Sequence, residues 1–92
     1  MKTVLQKETE CYICKKKMGL NDHHIFPGSF RKNSEKYGLK IWLCSRHHTG
    51  DEGVHNFPEM MFSLKKIAQA HFEKTHTREE FIKEFGRNYL ED

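Results

Sequence analysis

The run Leu43-Cys-Ser-Arg-His-His48 sets a cysteine close to two adjacent histidines, and a matching pair, Cys11-Tyr-Ile-Cys14, lies upstream. Cys11, Cys14, Cys44 and His47 thus supply three thiolates and one imidazole as two short clips. Such clips are the ligand set of a closed, tetrahedral zinc site. The alternative is that the cysteines are small buried apolar residues and His47 a surface residue. We predict a structural Zn²⁺, because two clips at matched spacing rarely arise by chance.

A second group of histidines is interleaved with these residues. This group consists of His23, His24, His48 and His55. The four-residue site does not need these histidines, although they fall in the same part of the chain. All three cysteines and five of the seven histidines lie between residues 11 and 55. Ordinary core or surface chemistry does not produce such a concentration. We therefore expect a second metal site beside the zinc.

Length and composition limit the class of protein. A chain of 92 residues that is 36% hydrophobic can form one domain with a small core, which a metal would help to stabilise. Three cysteines are an odd number, which favours thiolates in a reducing compartment over closed disulfides. The chain contains no run of the ~20 apolar residues that span a bilayer, and its polar start is unlike a signal peptide. We expect a cytoplasmic protein without a membrane partner, and the net charge of +3 permits an anionic partner without requiring one.

Hydrophobic periodicity predicts a small α+β domain with two short strands followed by helices. The first strand is expected within residues 19–26, where His23 and His24 would point to opposite faces. The second is expected over residues 39–43, delivering Cys44, with a basic loop and a helical turn between the strands. Residues 1–10 are expected to form an N-terminal arm. A single domain would then cover residues 11–92, with its core over 11–56 and a helical part over 57–92.

Two amphipathic helices are predicted in the C-terminal part. The first, over residues 57–74, has Asn56 as its expected N-cap. Its apolar stripe repeats at spacings of three and four and comprises Met60, Leu64, Ile67, Ala68 and His71. The second helix begins at a capping box, with Thr77 as the predicted N-cap and Glu80 as its partner three residues later. Its predicted apolar face comprises Phe81, Ile82 and Phe85. We expect His71 to be a hydrogen-bonded core residue and His76 to be solvated.

The second histidine cluster resembles that of the HNH endonucleases, also called ββα-metal nucleases. The matching stretches are Asp22-His-His-Ile25, Leu43-Cys-Ser-Arg-His-His48 and His55. The resemblance covers residues 11–56 and looks closest to small phage or bacterial members that carry a structural zinc. It implies a zinc-stapled ββα-metal domain with His24 as general base and His47 as the fourth zinc ligand. The implied ligands of the catalytic metal are His23, His48 and His55.

The chain departs from the family at the asparagine that helps to orient the base. Many members have this asparagine a few residues before Leu-Cys, where this chain has Tyr37-Gly-Leu39. Either Asn33, the nearest asparagine upstream, or a backbone group must replace it, or activity is weakened. Asp22 could also replace His23 as metal ligand if the strand register shifts by one residue.

Hydrolysis of a phosphodiester needs the groups that this cluster offers. An imidazole can take a proton from water near neutral pH, and a divalent cation can offset charge on the leaving oxygen. We therefore expect a metal-dependent DNA endonuclease or nickase that acts on double-stranded DNA in a bacterial or phage-infected cell. Its catalytic metal would be Mg²⁺, Mn²⁺, Ni²⁺ or Zn²⁺. The alternative is a non-catalytic zinc-binding module that binds nucleic acid or a protein partner.

Basic and aromatic residues near the cluster are candidates for substrate contacts. Arg31, Lys32 and Arg46 could grip phosphates, although a solvated basic surface explains them equally well. Trp42 and Tyr37 could stack on bases, but an aromatic residue beside a zinc clip is more often part of the core. With so little chain available for specificity, we expect either sequence-relaxed cutting or a protein partner that supplies targeting.

Overall fold

The computed structural model describes residues 3–50 and 53–90, and the side chain of His55 lies outside the described part. Two short 3₁₀ turns, Gly28–Phe30 and Val54–Asn56, accompany the strands and α-helices. In chain order these are β1 (Leu20–His24), α1 (Arg31–Tyr37), β2 (Lys40–Cys44), α2 (Ser45–His48), α3 (Pro58–Phe72) and α4 (Arg78–Phe85). The predicted α+β class is confirmed: within the described residues a two-stranded antiparallel sheet is combined with several helices. None of the helices in these ranges is both long and apolar enough to cross a membrane.

The register of the sheet separates the two adjacent histidines. In the antiparallel pairing of β1 with β2, His23 lies opposite Ile41 and His24 lies opposite Lys40. Directly opposed residues share a face, and neighbours along a strand point to opposite faces. The Ile41 side is the core side, since Ile41 is fully buried in the main apolar cluster. The side chains of His23 and His24 therefore lie in different environments, on opposite faces of the sheet.

The segment before the first cysteine covers the free edge of β2. The backbone N–H of Val4 donates to the carbonyl of Gly38 at 3.0 Å, and the hydroxyl of Thr3 donates to the carbonyl of Lys40. Further along, the side-chain oxygen of Gln6 accepts from the N–H of Trp42 at 2.7 Å. Because β1 pairs with only one edge of β2, these bonds satisfy groups that would otherwise be left open.

The core behind the sheet is built on aromatic rings. Phe26, just after β1, is almost fully buried, and its ring centroid lies 4.5 Å from that of Phe85 and 5.6 Å from that of Phe81. Phe72 at the end of α3 meets the same two rings at 5.5 and 5.9 Å. Tyr37 packs edge-on against Phe72 at 5.0 Å. These contacts join the turn after β1 to both C-terminal helices, and they place Tyr37 in the core.

The predicted apolar faces of α3 and α4 are partly wrong. Leu64 and Ala68 are buried as predicted, but Met60 and Ile67 remain 37% and 46% exposed. The core-facing stripe of α3 instead continues to Phe72, whose ring packs against those of Phe81 and Phe85. On α4, Phe81 and Phe85 face the core at a spacing of four, which leaves Ile82 40% exposed.

The two predicted N-caps have different outcomes. Asn56 does not cap α3: its side-chain amide donates to the carbonyl of Gly50 at 3.0 Å, and the helix starts at Pro58 without a side-chain cap. The asparagine is used to close the loop that returns from α2. The capping box of α4 is confirmed, with Thr77 accepting from the N–H of Glu80 at 3.1 Å and Glu80 accepting from the N–H of Thr77 at 2.9 Å.

The two C-terminal histidines, His71 and His76, are both partly buried. The ring of His76 stacks on Phe72 with centroids 4.2 Å apart and planes 18° apart and is only partly exposed, so the expectation that it is solvated holds in part. His71 is only partly buried, on the side of α3 where a surface cavity is lined by Val4, Tyr37 and Phe72. Neither histidine belongs to the clusters that could hold a metal among the described residues.

Replacing Thr77 with alanine should destabilise the protein by about 1 kcal/mol, because the first turn of α4 loses its acceptor for the N–H of Glu80. Chemical denaturation of the zinc-loaded protein would measure the free energy of unfolding. Thr77→Ser keeps a hydroxyl at the same position and should retain most of the stability. Equal destabilisation by serine and alanine would contradict the capping role.

Candidate metal centre and histidine pair

Three cysteine sulfurs and one imidazole nitrogen converge where the turn before β1 meets the junction of β2 and α2. One ligand atom from each residue lies within 4.8 Å of all the others: Cys11, Cys14, Cys44 and His47. The Cys14 and Cys44 sulfurs are 3.7 Å apart, and Nδ1 of His47 is 3.2 Å from the Cys44 sulfur and 3.7 Å from the Cys11 sulfur. Tetrahedral zinc with Zn–S bonds of about 2.3 Å separates its ligands by roughly 3.5–3.8 Å. The four residues can therefore hold a metal such as zinc.

Local backbone geometry brings the four ligands together. The N–H of Lys15 donates to the carbonyl of Cys11 at 2.9 Å, and the N–H of Cys11 donates to the carbonyl of Lys16 at 2.8 Å, which closes a tight turn. Lys15 has a φ of +68°, the left-handed conformation that such a turn needs. At the other end, β2 stops at Cys44 and α2 begins at once. A single helical turn then carries His47 back over the strand end.

Hydrogen bonds to the sulfurs favour the thiolate form that binds metal. Burial raises the pKa of the Cys11 thiol, but N–H groups of Cys14, Cys44 and Ile13 outweigh it and lower the pKa to about 6. Burial likewise raises the pKa of Cys44, while the backbone N–H and the imidazole of His47 bring it below its ordinary value. All three cysteines lie within the described residues, and none is in a disulfide.

The pKa values of His47 and Cys14 are both shifted by the sulfurs of Cys11 and Cys44. The hydrogen bond with Cys44 raises the pKa of His47 above its ordinary value. The N–H of Lys16 lowers the pKa of Cys14, but desolvation and the sulfurs of Cys11 and Cys44 outweigh it and leave the pKa raised. Crowded thiols that compete for negative charge in this way are stabilised when a cation binds among them.

A pair of imidazoles is connected to the four ligands through α2, which carries both His47 and His48. The rings of His23 and His48 meet edge to face, with centroids 5.5 Å apart. His23 is 3% exposed on the core side of β1, and His48 is half-buried at the end of α2, immediately after the ligand His47. The position of His48 is thus set by the same helical turn that closes the first cluster.

The third predicted ligand of this pair is only partly described. His55 lies in the 3₁₀ turn Val54–Asn56, but its side chain is outside the described part of the structure. Gly53, two residues earlier, lies close to the end of α2, because a Cβ there would lie 2.7 Å from the carbonyl oxygen of His48. Only glycine permits this close approach.

His24 points away from that pair, toward α1. Its Nε2 lies 3.0 Å from Oε1 of Glu35, and Glu35 also forms an ion pair with the ammonium of Lys40. His24 and Lys40 are both almost fully buried, at 5% and 1% exposure. The exposed carboxylate of Asp22 lies on this side as well, since one ligand atom each of Asp22, His24 and Glu35 falls within 4.8 Å of the others. This position separates Asp22 from the His23–His48 pair.

The residue that contacts His24 is one that the sequence did not single out. Asn33, one of the options considered for the place of the asparagine in HNH endonucleases, donates its side-chain N–H to the carbonyl of Glu84 at 2.8 Å and so joins α1 to α4. Glu35 occupies the place beside His24 instead. A glutamate in a polar, basic stretch is an ordinary surface residue by sequence, so nothing in the pattern distinguishes it.

The candidate phosphate contacts lie on two helices next to these sites. Arg31 and Lys32 are exposed at the start of α1, the helix that carries Glu35. Arg46 is exposed on α2, between Cys44 and His47. All three side chains are therefore accessible to an anionic ligand near the histidines. Trp42 is half-buried on β2, on the face of Lys40.

Replacing Cys44 with serine should remove one equivalent of bound zinc per chain and unfold most of the protein at 25 °C. Zinc binding contributes about 10–16 kcal/mol in small zinc-folded peptides, which matches or exceeds the about 5–15 kcal/mol that ordinarily stabilises a domain. Metal analysis by mass spectrometry together with circular dichroism would measure both effects. The neighbouring exposed Ser45→Ala should change neither, and a folded Cys44→Ser protein without the zinc would show that the cluster is not a structural metal site.

Comparisons of the chain with protein-family models, with curated proteins and with solved structures gave no match.

Proposed function

We propose that the protein is a metal-dependent DNA endonuclease or nickase that hydrolyses phosphodiester bonds. The observation that carries the proposal is the pair of imidazole rings, His23 and His48, built onto the end of the four-ligand cluster with centroids 5.5 Å apart. A closed structural zinc needs no second set of histidines. A pair of imidazoles, one buried and one half-buried, that is joined to this cluster through α2 is a candidate ligand set for a further divalent metal, and the resemblance to HNH endonucleases gives that metal a role in cleavage.

In this proposal the ligands of the catalytic metal are His23, His48 and His55, and those of the structural zinc are Cys11, Cys14, Cys44 and His47. His23 and His48 are both held by regular secondary structure, because His23 lies in a paired strand and His48 follows the proposed zinc ligand His47 on α2. When bound there, Mg²⁺, Mn²⁺, Ni²⁺ or Zn²⁺ would supply positive charge that offsets the charge developing on the phosphate and leaving oxygen.

The proposed general base is His24. It occupies the last position of β1, next to the ligand His23, so the base and the metal ligand stay at one end of the sheet although they point to different faces. Within the described residues its Nδ1 is buried and makes no hydrogen bond. A neutral imidazole with an open nitrogen can accept a proton from an attacking water.

The substrate would be bound through its phosphates. The exposed guanidinium groups of Arg31 and Arg46 and the ammonium of Lys32 lie on the helices that carry Glu35 and His48. Double-stranded DNA is the expected substrate, because contacts of this type recognise the phosphate backbone with little sequence preference. A protein partner would supply targeting, and the setting would be the cytoplasm of a bacterial or phage-infected cell.

A non-catalytic zinc-binding module is the second candidate, and one observation favours it. The side chain of His24 is only 3% exposed, whereas a general base must reach water. In the module, the histidines would be structural and the exposed basic residues would bind nucleic acid or a protein without cleavage.

Purified protein depleted of its exchangeable metal should convert supercoiled plasmid to nicked or linear DNA only after addition of a divalent cation. His24→Ala should lower the rate by about 10²–10⁴-fold, the usual contribution of a general base, while zinc content and DNA binding persist. His48→Ala should raise the metal concentration needed for half-maximal cleavage. Gel-based kinetics at several metal concentrations would measure both.

The matched control is His71→Ala, which removes a partly buried histidine that lies on α3 outside both clusters. It should leave the cleavage rate within a factor of about two, because no part of the proposed chemistry uses it. A folded, zinc-loaded native protein that cuts DNA with none of the four metals would support the binding module. Cleavage that survives His24→Ala would overturn the assignment of the base.

A further inference from the structure

We infer that Glu35 is the positioning residue of the proposed base: it accepts a hydrogen bond from Nε2–H of His24, so that Nδ1 is the nitrogen left to take the proton. The catalytic part of this inference rests on the proposed function, whereas the tautomer that it assigns to His24 does not. It gives Glu35 the role that the resemblance assigns to an asparagine.

The contact itself fixes which ring nitrogen carries the proton. Nε2 of His24 lies 3.0 Å from Oε1 of Glu35, a hydrogen-bond distance. The pKa of Glu35 is held below its ordinary value by the hydrogen bonds from Lys40 and His24, so the carboxylate is ionised at neutral pH. An ionised carboxylate can only accept hydrogen bonds. The proton of a neutral His24 ring therefore sits on Nε2, and Nδ1 carries the lone pair.

The other ring nitrogen is left open. Within the described residues, Nδ1 of His24 is buried and has no hydrogen-bond partner. Buried polar atoms are nearly always satisfied, and an exception marks a place for a water, an ion or a substrate group. A general base needs an acceptor that makes no other hydrogen bond on a ring held in place, and Nδ1 is such an acceptor at the nitrogen that does not contact Glu35.

Glu35 is in turn held in place from two sides. The ammonium of Lys40 forms an ion pair with its other oxygen, and Lys40, which lies opposite His24 in the register, is 1% exposed. On α1, the hydroxyl of the adjacent Ser34 accepts from the N–H of Phe26 at 3.1 Å and donates to the carbonyl of Phe26 at 2.9 Å. The helix is thus fastened to the chain two residues after His24, and the carboxylate has a defined position relative to the ring.

A metal site is the competing use of this cluster, because Asp22, His24 and Glu35 each offer a ligand atom within 4.8 Å of the others. The ammonium of Lys40 argues against it. A buried positive charge already neutralises Glu35 and would repel a second cation. A hydrogen-bonded triad of Lys40, Glu35 and His24 accounts for the same contacts without that conflict.

The first test is made on the unaltered, zinc-loaded protein and does not depend on cleavage. Long-range ¹H–¹⁵N NMR spectra of the imidazole nitrogens distinguish the Nε2–H from the Nδ1–H tautomer, and comparison with His24→Ala identifies the His24 signals. We expect the Nε2–H tautomer for the neutral ring. The Nδ1–H tautomer would overturn the inference, and so would the signature of metal coordination at His24.

The second test is kinetic. Glu35→Ala should lower kcat for plasmid cleavage by about 10–100-fold with little change in KM, because loss of a group that orients an active imidazole typically has an effect of that size. Glu35→Gln keeps an acceptor oxygen and should recover part of the rate. The matched control is Glu84→Ala, which removes a carboxylate that accepts from the hydroxyl of Tyr37 at 3.2 Å, away from His24.

The outcomes separate the two proposals. If Glu35→Ala binds zinc, melts near the native temperature and cuts DNA as fast as Glu84→Ala, the positioning role is wrong although the nuclease stands. If the native protein cuts no DNA while His24 shows the Nε2–H tautomer, the proposed function fails and the Glu35 contact remains as a structural bond. If Glu35→Ala fails to fold, the tautomer of His24 in the unaltered protein decides, because Glu35→Gln keeps an acceptor oxygen; the Nδ1–H tautomer then overturns the positioning role.

Discussion

The convergence of three thiolates and one imidazole on a single point is the constraint on which the rest of this structure depends. Cys11 and Cys14 come from the turn before β1, whereas Cys44 and His47 come from the junction of β2 and α2. Holding these segments together fixes the end of the β1–β2 pair at which Leu20 lies opposite Cys44. A chain of 92 residues buries too small a core to define such geometry by packing alone. A cation at this point would replace the mutual repulsion of crowded sulfurs by attraction to a common centre.

The aromatic core fixes the other end of the same strands. Phe26 follows β1 and packs among the rings of α3 and α4, while Ser34 bonds both backbone groups of Phe26. The histidines at the end of β1 therefore lie between two rigid anchors, the metal cluster on one side and the aromatic core on the other. Groups held in this way keep their positions without substrate, which favours catalysis and tight binding alike.

Strand geometry assigns different surroundings to two residues that are adjacent in the chain. Because neighbours along a strand alternate in direction, His23 meets the ring of His48 and His24 meets the carboxylate of Glu35. His23 thus contacts a second imidazole, whereas His24 is hydrogen-bonded to a carboxylate that also pairs with the ammonium of Lys40. A single step along the backbone separates these two environments.

The sequence by itself determined the four-residue cluster, the two strands and the capping box of α4, because each is encoded locally. Each can be recognised in the sequence without knowledge of distant contacts: the cluster by two ligand pairs that are each separated by two residues, the strands by alternating apolar positions, and the capping box by Thr77 and Glu80. The side of α3 that faces the core was less well determined. Met60 and Ile67 fit the predicted stripe as well as Leu64 does, and only the location of the aromatic rings decides among them.

The partner of His24 was decided by the tertiary structure alone. Glu35 and Asn33 are both polar residues of one short helix, and no local pattern distinguishes them. What separates them is how α1 lies on the sheet: its packing turns Asn33 toward the carbonyl of Glu84 and Glu35 toward His24 and Lys40. Such contacts depend on the relative placement of a helix and a strand. The physical reason is that the orientation of α1 is set by long-range packing and hydrogen bonds, which the local sequence does not record.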